Sequence, residues 1–246
     1  MDPTETQDLP VRPVRRAFEQ VADQLRELLI HGVLTPGNRL PNEVELAEQF
    51  NVSRGTVREA LRTLTSEGLV ATTRGARGGS FAAAPKAANV VQSLTGTISL
   101  MAASREVTVA ELLEARELFE VPAARMAALK RSDEELKLIR AVVPTSPAEL
   151  VGRRAFEANR GFHERVLSAA GNRLLRLTTE PLFVTMQVRF LRESASEDFW
   201  ELVFADHLHI LEAIEAGDGE AAAEAMAVHL RNIRPTYEAI DRAQIG

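Results

Sequence analysis

Arginines and histidines are the side chains of this chain best placed for chemistry. Between Val52 and Ser80 stand Arg54, Arg58, Arg62, Arg74 and Arg77 against Glu59 and Glu67, a local net charge of +3 in a chain whose formal net charge is -6. On a helix, Arg54, Arg58 and Arg62 fall within a strip about 80° wide, while Val57, Ala60, Leu61 and Leu64 face roughly the other way. A planar guanidinium suits guanine, because it donates two hydrogen bonds to O6 and N7 in a major groove that admits a helix. The alternative is a solvated face whose arginines pair with Glu59 and other acids.

His163, His207 and His229 each fall in a different stretch of helical periodicity, so one shared site is open to them. Imidazoles converging from separate helices, joined by an oxygen ligand, bind zinc, nickel or manganese while leaving coordination positions free. Asn159 stands one helical turn before His163 and projects the same way. His209, two residues from His207, points elsewhere. Taken singly, each histidine also fits a core or surface position. Arg116 lies on an otherwise apolar helix face and needs an anion, which an internal salt bridge to Glu117 or Glu120 would supply.

The elements that must position these residues follow from local signals. Residues 1–14 read as a flexible tail. Apolar residues from Phe18 to Leu29 recur at helical spacing, and Gly32 ends that helix. Asn42 with Glu45 forms a capping box, Ser53 caps a longer helix that Gly68 stops, and Gly55 and Thr56 lie in its first turn. Leu69–Thr73 and Ser80–Ala83 read as strands of a hairpin around a glycine-rich loop, in which Gly78 and Gly79 allow close approach to a DNA backbone and Arg77 reaches phosphate or the minor groove. This gives a DNA-binding domain over 15–83 and an Ala/Pro/Lys linker over 84–95. From 96 to 246 the pattern is helical: boxes at Thr108/Glu111, Ser132/Glu135 and Ser146/Glu149, then helices over roughly 174–195, 197–216 and 219–243. The expected class is mostly α, a winged helix-turn-helix followed by an antiparallel bundle of six or seven helices.

Composition excludes several alternatives. The absence of cysteine removes disulfides, thiol nucleophiles and cysteine metal sites. Aromatic residues at 5% are too few for a single-strand stacking platform. No apolar run approaches the roughly 20 residues that cross a bilayer, and Met1–Leu9 lacks the pattern of a secretion signal, so a cytoplasmic protein without membrane partners is expected.

The stretches Pro36–Glu43, Glu45–Ala47 and Val52–Leu61 resemble the N-terminal domain of GntR-family regulators. That resemblance implies a homodimer on a short palindromic double-stranded DNA operator, with Arg39, Ser53, Arg54, Gly55, Thr56, Arg58, Arg62, Arg77 and Gly78 at the DNA. Val44 departs from an arginine often found in relatives of the FadR type. Asn159–His163, Ala169–Asn172, Asp206–Ile214 and Gly217–Leu230 resemble the FCD-type C-terminal domain of the FadR subgroup. This second resemblance implies a pocket where one carboxylate and three histidines hold a divalent metal; Asn159 replaces the usual aspartate. Either His163, His207 and His229 hold the metal mainly by themselves or they meet the effector directly. It also implies that Arg116 clamps the carboxylate of a small organic-acid effector, with Arg189 and Arg192 as further candidates. The expected function is a ligand-responsive transcriptional regulator, most members of the family being repressors. The alternatives are a DNA-binding protein whose C-terminal half only dimerises, or a metalloenzyme, for which a motif such as H-E-x-x-H is missing.

Overall fold

The computed structural model describes residues 15–73, 75, 78–190 and 195–243, with 187–190 described by backbone alone. The chain divides between Lys86 and Ala87 into two compact units. The first holds α1 (Ala17–Ile30), α2 (Glu43–Phe50), α3 (Arg54–Ser66), β1 (Val70–Thr73) and β2 (Gly79–Ala82). The Asn42 side chain accepts from the backbone N–H groups of Val44 and Glu45, and the Glu45 carboxylate accepts from the Asn42 N–H. Asn51 then ends α2 in the left-handed conformation (φ 51°), which asparagine tolerates better than most side chains. Ser53 Oγ accepts from the Thr56 N–H and starts α3.

Val21, Leu25, Leu46, Val57, Leu61 and Leu64 share one core. Arg26 ties α1 to the end of α3 through two bonds to the Glu67 carboxylate, 2.7 and 3.0 Å. The strands pair antiparallel with Val70 opposite Ala82, and Arg39 adds an isolated bridge to Phe81. This is the expected winged helix-turn-helix.

The second unit is all-α. Among the described residues it contains α4 (Ala87–Ala103), α5 (Val109–Lys130), α6 (Asp133–Val142), α7 (Gly152–Ala169), α8 (Arg173–Phe190), α9 (Glu197–Ala216) and α10 (Gly219–Ala243). Thr108 and Ser132 each form the expected capping box. Gly217 (φ 71°) closes α9, and Asp218 Oδ1 accepts from the Glu220 and Ala221 N–H groups to open α10. A Cβ at Gly219 would lie 3.1 Å from both Arg125 Cγ and Leu129 Cγ, so glycine lets α10 start directly on α5. Phe162, Met186, Trp200, Ile210, Met226 and Tyr237 belong to the main core.

Three local expectations change. The segment 84–95 read as a linker is helical from Ala87; beyond Pro85 its alanines favour helix over open chain. Ser146 caps only a 3-10 turn, Pro147–Glu149, because the Glu149 carboxylate accepts from Thr145 N and Oγ1 instead of completing a box. The helix expected to run to Ala195 is described as far as Phe190; 191–194 lie outside the described residues, and Ala195 itself is not helical. Among the described residues, no helix is long and apolar enough to cross a membrane.

Candidate functional site

On the first unit, the buried face of α3 is Val57, Ala60, Leu61 and Leu64, while Arg54, Arg58 and Arg62 are exposed. The strip read from sequence is therefore presented outward. Arg58 pairs with Glu43 on α2 at 2.7 Å and Arg62 with Glu59 at 3.4 Å. These pairs are open to solvent, so screening keeps them weak and exchangeable for other anions. Glu43 went unnoticed in the sequence because it stands on another helix; its hydrogen bond from Arg58 lowers its carboxyl below the usual carboxylate range.

Ser53 and Thr56 hold each other at 2.9 Å, and Gly55 stays exposed between them. Arg39, although exposed, donates to the Gly78 carbonyl at 2.8 Å, so it braces the hairpin. Arg77 lies outside the described residues.

The second unit brings together most of the other predicted residues. His163 (α7), His207 (α9) and His229 (α10) are buried, and one ligand nitrogen from each lies within 4.8 Å of the others. Phe162 stacks on His207 with ring centroids 4.0 Å apart, and Phe183 from α8 contacts His163 at 4.7 Å. Asp206, unassigned from sequence, reaches across to His229 Nδ1 at 3.2 Å and accepts from Asn232 Nδ2 at 3.1 Å. A carboxylate on one ring nitrogen fixes the tautomer and leaves the Nε2 lone pair free for an ion.

Arg116 and Glu120 are wholly enclosed on α5, 0% and 1% exposed. Arg116 Nε donates to Glu120 Oε1 at 2.6 Å, and its guanidinium lies 4.7 Å from the centre of the Phe183 ring. The internal salt bridge considered for Arg116 is thus present, with Glu120 as the partner. Glu120 Oε2 also comes within 2.5 Å of His163 Nδ1, without hydrogen-bond alignment. Arg189 has its side chain outside the described residues, as does Arg192.

Buried polar atoms are nearly always paired. Among the described residues, Arg116 Nη1, Asn159 Oδ1, both ring nitrogens of His163 and the Nε2 atoms of His207 and His229 are buried with no hydrogen-bond partner. The three histidines each offer a nitrogen within 4.8 Å of the others, and imidazole is a ligand for zinc and other divalent metals. The histidine cluster could therefore hold a divalent metal. A separate groove of about 1050 Å³, bordered by α4, α7 and α8, includes none of these residues.

Burial pushes His163 down from 6.5 to about 4, with Glu120 opposing the shift. It also lowers His207 and His229. Burial alone would raise Glu120, but Arg116 and His163 outweigh it and hold the carboxyl low.

These depressed histidines give a pH prediction for the metal-free protein. As pH falls below about 6.5 the unfolded chain takes up a proton that His163 in the folded site refuses until about pH 4. Stability should therefore drop through that window, by on the order of 1.4 kcal/mol per pH unit from His163. Urea titrations at stepped pH check this. The slope should shrink in a His163→Gln variant, and an unchanged slope would contradict the assignment.

Comparison with known proteins accounts for both units. Residues 17–79 match the family described as "Bacterial regulatory proteins, gntR family", and residues 111–232 match the "FCD domain" family. The HTH-type transcriptional regulator LutR of Bacillus subtilis (strain 168) is 30% identical over 215 residues, 84% of this chain and 94% of that protein. The "Putative L-lactate dehydrogenase operon regulatory protein" of Escherichia coli (strain K12) is 31% identical over 238 residues, 94% of this chain and 90% of that one. The structure of Streptococcus agalactiae GntR shares the fold with a TM-score of 0.59 at 23% identity, covering 89% of this chain and 99% of that one. An outward arginine strip on a winged helix-turn-helix, an FCD domain behind it and relatives alike along most of their length lead to one conclusion: the chain belongs to the GntR family, as a DNA-binding transcriptional regulator and not an enzyme.

Proposed function

We propose that this protein is a cytoplasmic repressor of the FadR subgroup, which binds a palindromic operator as a homodimer and is released by a small carboxylic acid. Arg54, Arg58 and Arg62 would face the major groove, with Ser53, Gly55 and Thr56 at the start of the recognition helix against the backbone. Arg39 would act by holding the hairpin at Gly78, and Arg77 would meet phosphate or the minor groove. His163, His207 and His229, with Asn159, would bind a divalent metal such as zinc, nickel or manganese, and Arg116 would meet the acid.

One observation carries this reading. Among the described residues, the buried unpartnered atoms of the C-terminal unit are of two kinds, electron-pair donors suited to a cation and an N–H donor, Arg116 Nη1, suited to an anion. A metal presents open positions to carboxylate oxygens while a guanidinium binds the same group. The relative named for an L-lactate dehydrogenase operon makes L-lactate the first acid to try.

The mechanism is linkage: an acid that binds one arrangement of the dimer better than another shifts the population away from the form that spans both half-sites. The test uses a duplex selected by the protein from a random pool, then a gel-shift series with zinc and a panel of small acids including L-lactate. At least one acid is expected to weaken the complex by about 5- to 150-fold. No change with any acid, with or without zinc, would favour a C-terminal unit that serves only to dimerise.

A further inference from the structure

A planar guanidinium carries N–H donors along its side edge, Nε with Nη2, and at its end, Nη1 with Nη2, so it can hold a carboxylate with the first and still present a fork with the second. Arg58 is held in this way. Its Nε donates to Glu43 Oε1 and Oε2 at 3.2 Å each, and its Nη2 to Oε2 at 2.7 Å. Among the described residues, Nη1 makes no hydrogen bond, and the side chain is exposed. The end fork is thus free to donate to O6 and N7 of a guanine while the side edge is occupied. The brace is itself anchored. Glu43 opens α2, whose start the Asn42 capping box fixes, and Leu46 of α2 shares a core with Val57 and Leu61 of α3. The hydrogen bond from Arg58 keeps the Glu43 carboxyl in its charged, accepting form, and the charges of Arg62 and Arg54 act in the same direction. Such a pair is weak in open solvent, but a duplex laid against it displaces water and strengthens it. A long side chain aimed beforehand also loses less freedom on binding.

We infer that Glu43 is a positioning residue for operator recognition, which grips Arg58 from the side and aims its end fork at a guanine. This rests on the proposal that Arg58 faces the major groove, and adds how a flexible cation is made to read a base there. An unbraced arginine finds phosphate oxygens as readily as base edges, and phosphate carries no sequence information. The Glu43 carboxylate also repels the duplex, so it lowers affinity for every DNA while raising discrimination between them.

The test replaces the guanines of one operator half-site, one at a time, with 7-deazaguanine, which lacks the N7 acceptor, and measures binding of the full chain by fluorescence anisotropy. The operator is the duplex selected by the protein, and a scrambled duplex runs alongside. Arg58→Lys keeps the charge without the fork, so the position whose penalty it abolishes is the one read by Arg58. For wild-type protein that position should cost on the order of 10-fold in affinity. Glu43→Gln keeps the size but breaks the two-oxygen grip: it should bind both duplexes more tightly, the scrambled one most, and lose the penalty. Glu43→Ala removes the grip altogether and should lose it too, so the answer survives if either variant fails to fold. A penalty undiminished in a folded Glu43 variant overturns the inference, Glu43 then being exchanged for phosphate on binding while Arg58 still reads guanine. If no position depends on Arg58, its major-groove role falls, and this inference with it.

Discussion

Replacing Glu120 with alanine should destabilise the C-terminal unit by about 3–5 kcal/mol, because it strands a buried guanidinium without its counter-charge. Arg116 is fully enclosed and Glu120 is its ion-pair partner at 2.6 Å. For a unit of this size each kcal/mol lowers the melting temperature by roughly 2–4 °C, so a drop of roughly 6–20 °C is expected. Glu117→Ala is the control: its contact with Arg234 is a surface one at 3.9 Å, and such a loss should stay within about 0.5 kcal/mol. Thermal unfolding of the full chain measures both. Equal, small shifts in the two variants would mean that Arg116 does not depend on Glu120.

Arg58→Ala should remove specific operator binding and leave unfolding nearly unchanged. One bidentate guanine contact discriminates by about 1–3 kcal/mol, and a dimer would lose it in both half-sites. The side chain is 54% exposed and its pair with Glu43 is a surface one, so its loss should hardly affect stability. Glu43→Gln should act in the opposite direction, freeing Arg58 and removing a negative charge beside the duplex. Fluorescence anisotropy on the selected operator and on a scrambled duplex separates these effects. If Arg58→Ala weakens both duplexes equally and modestly, the arginine contacts phosphate and does not read bases.

Features encoded locally were legible in the sequence, and those requiring a second helix were not. The boxes at Asn42/Glu45, Thr108/Glu111 and Ser132/Glu135 depend on residues three apart, so their types and spacing suffice. Ser146 and Glu149 have the same spacing, yet Thr145 takes the carboxylate; a competing hydroxyl one residue upstream decides. The arginine strip follows from periodicity alone, whereas the Glu43–Arg58 pair joins residues fifteen apart on different helices. The histidines were recognisable by type and by their separate helices. Their supporting carboxylates were not: Asp206 adjoins His207 in sequence but serves His229, twenty-three residues away. For Arg116, Glu117 and Glu120 were equally available on paper, and the one-turn spacing within a buried helix face selects Glu120.

The enclosed atoms around the histidines also bear on how robust this regulator can be. A core filled there with leucine and methionine would hold together better, since apolar packing leaves no polar group stranded. The chain instead keeps buried polar atoms without partners, among the described residues, where the proposed acid would bind. Substitutions that make this spot greasy should therefore yield a sturdier protein that is deaf to its signal, the usual opposition between toughness and responsiveness.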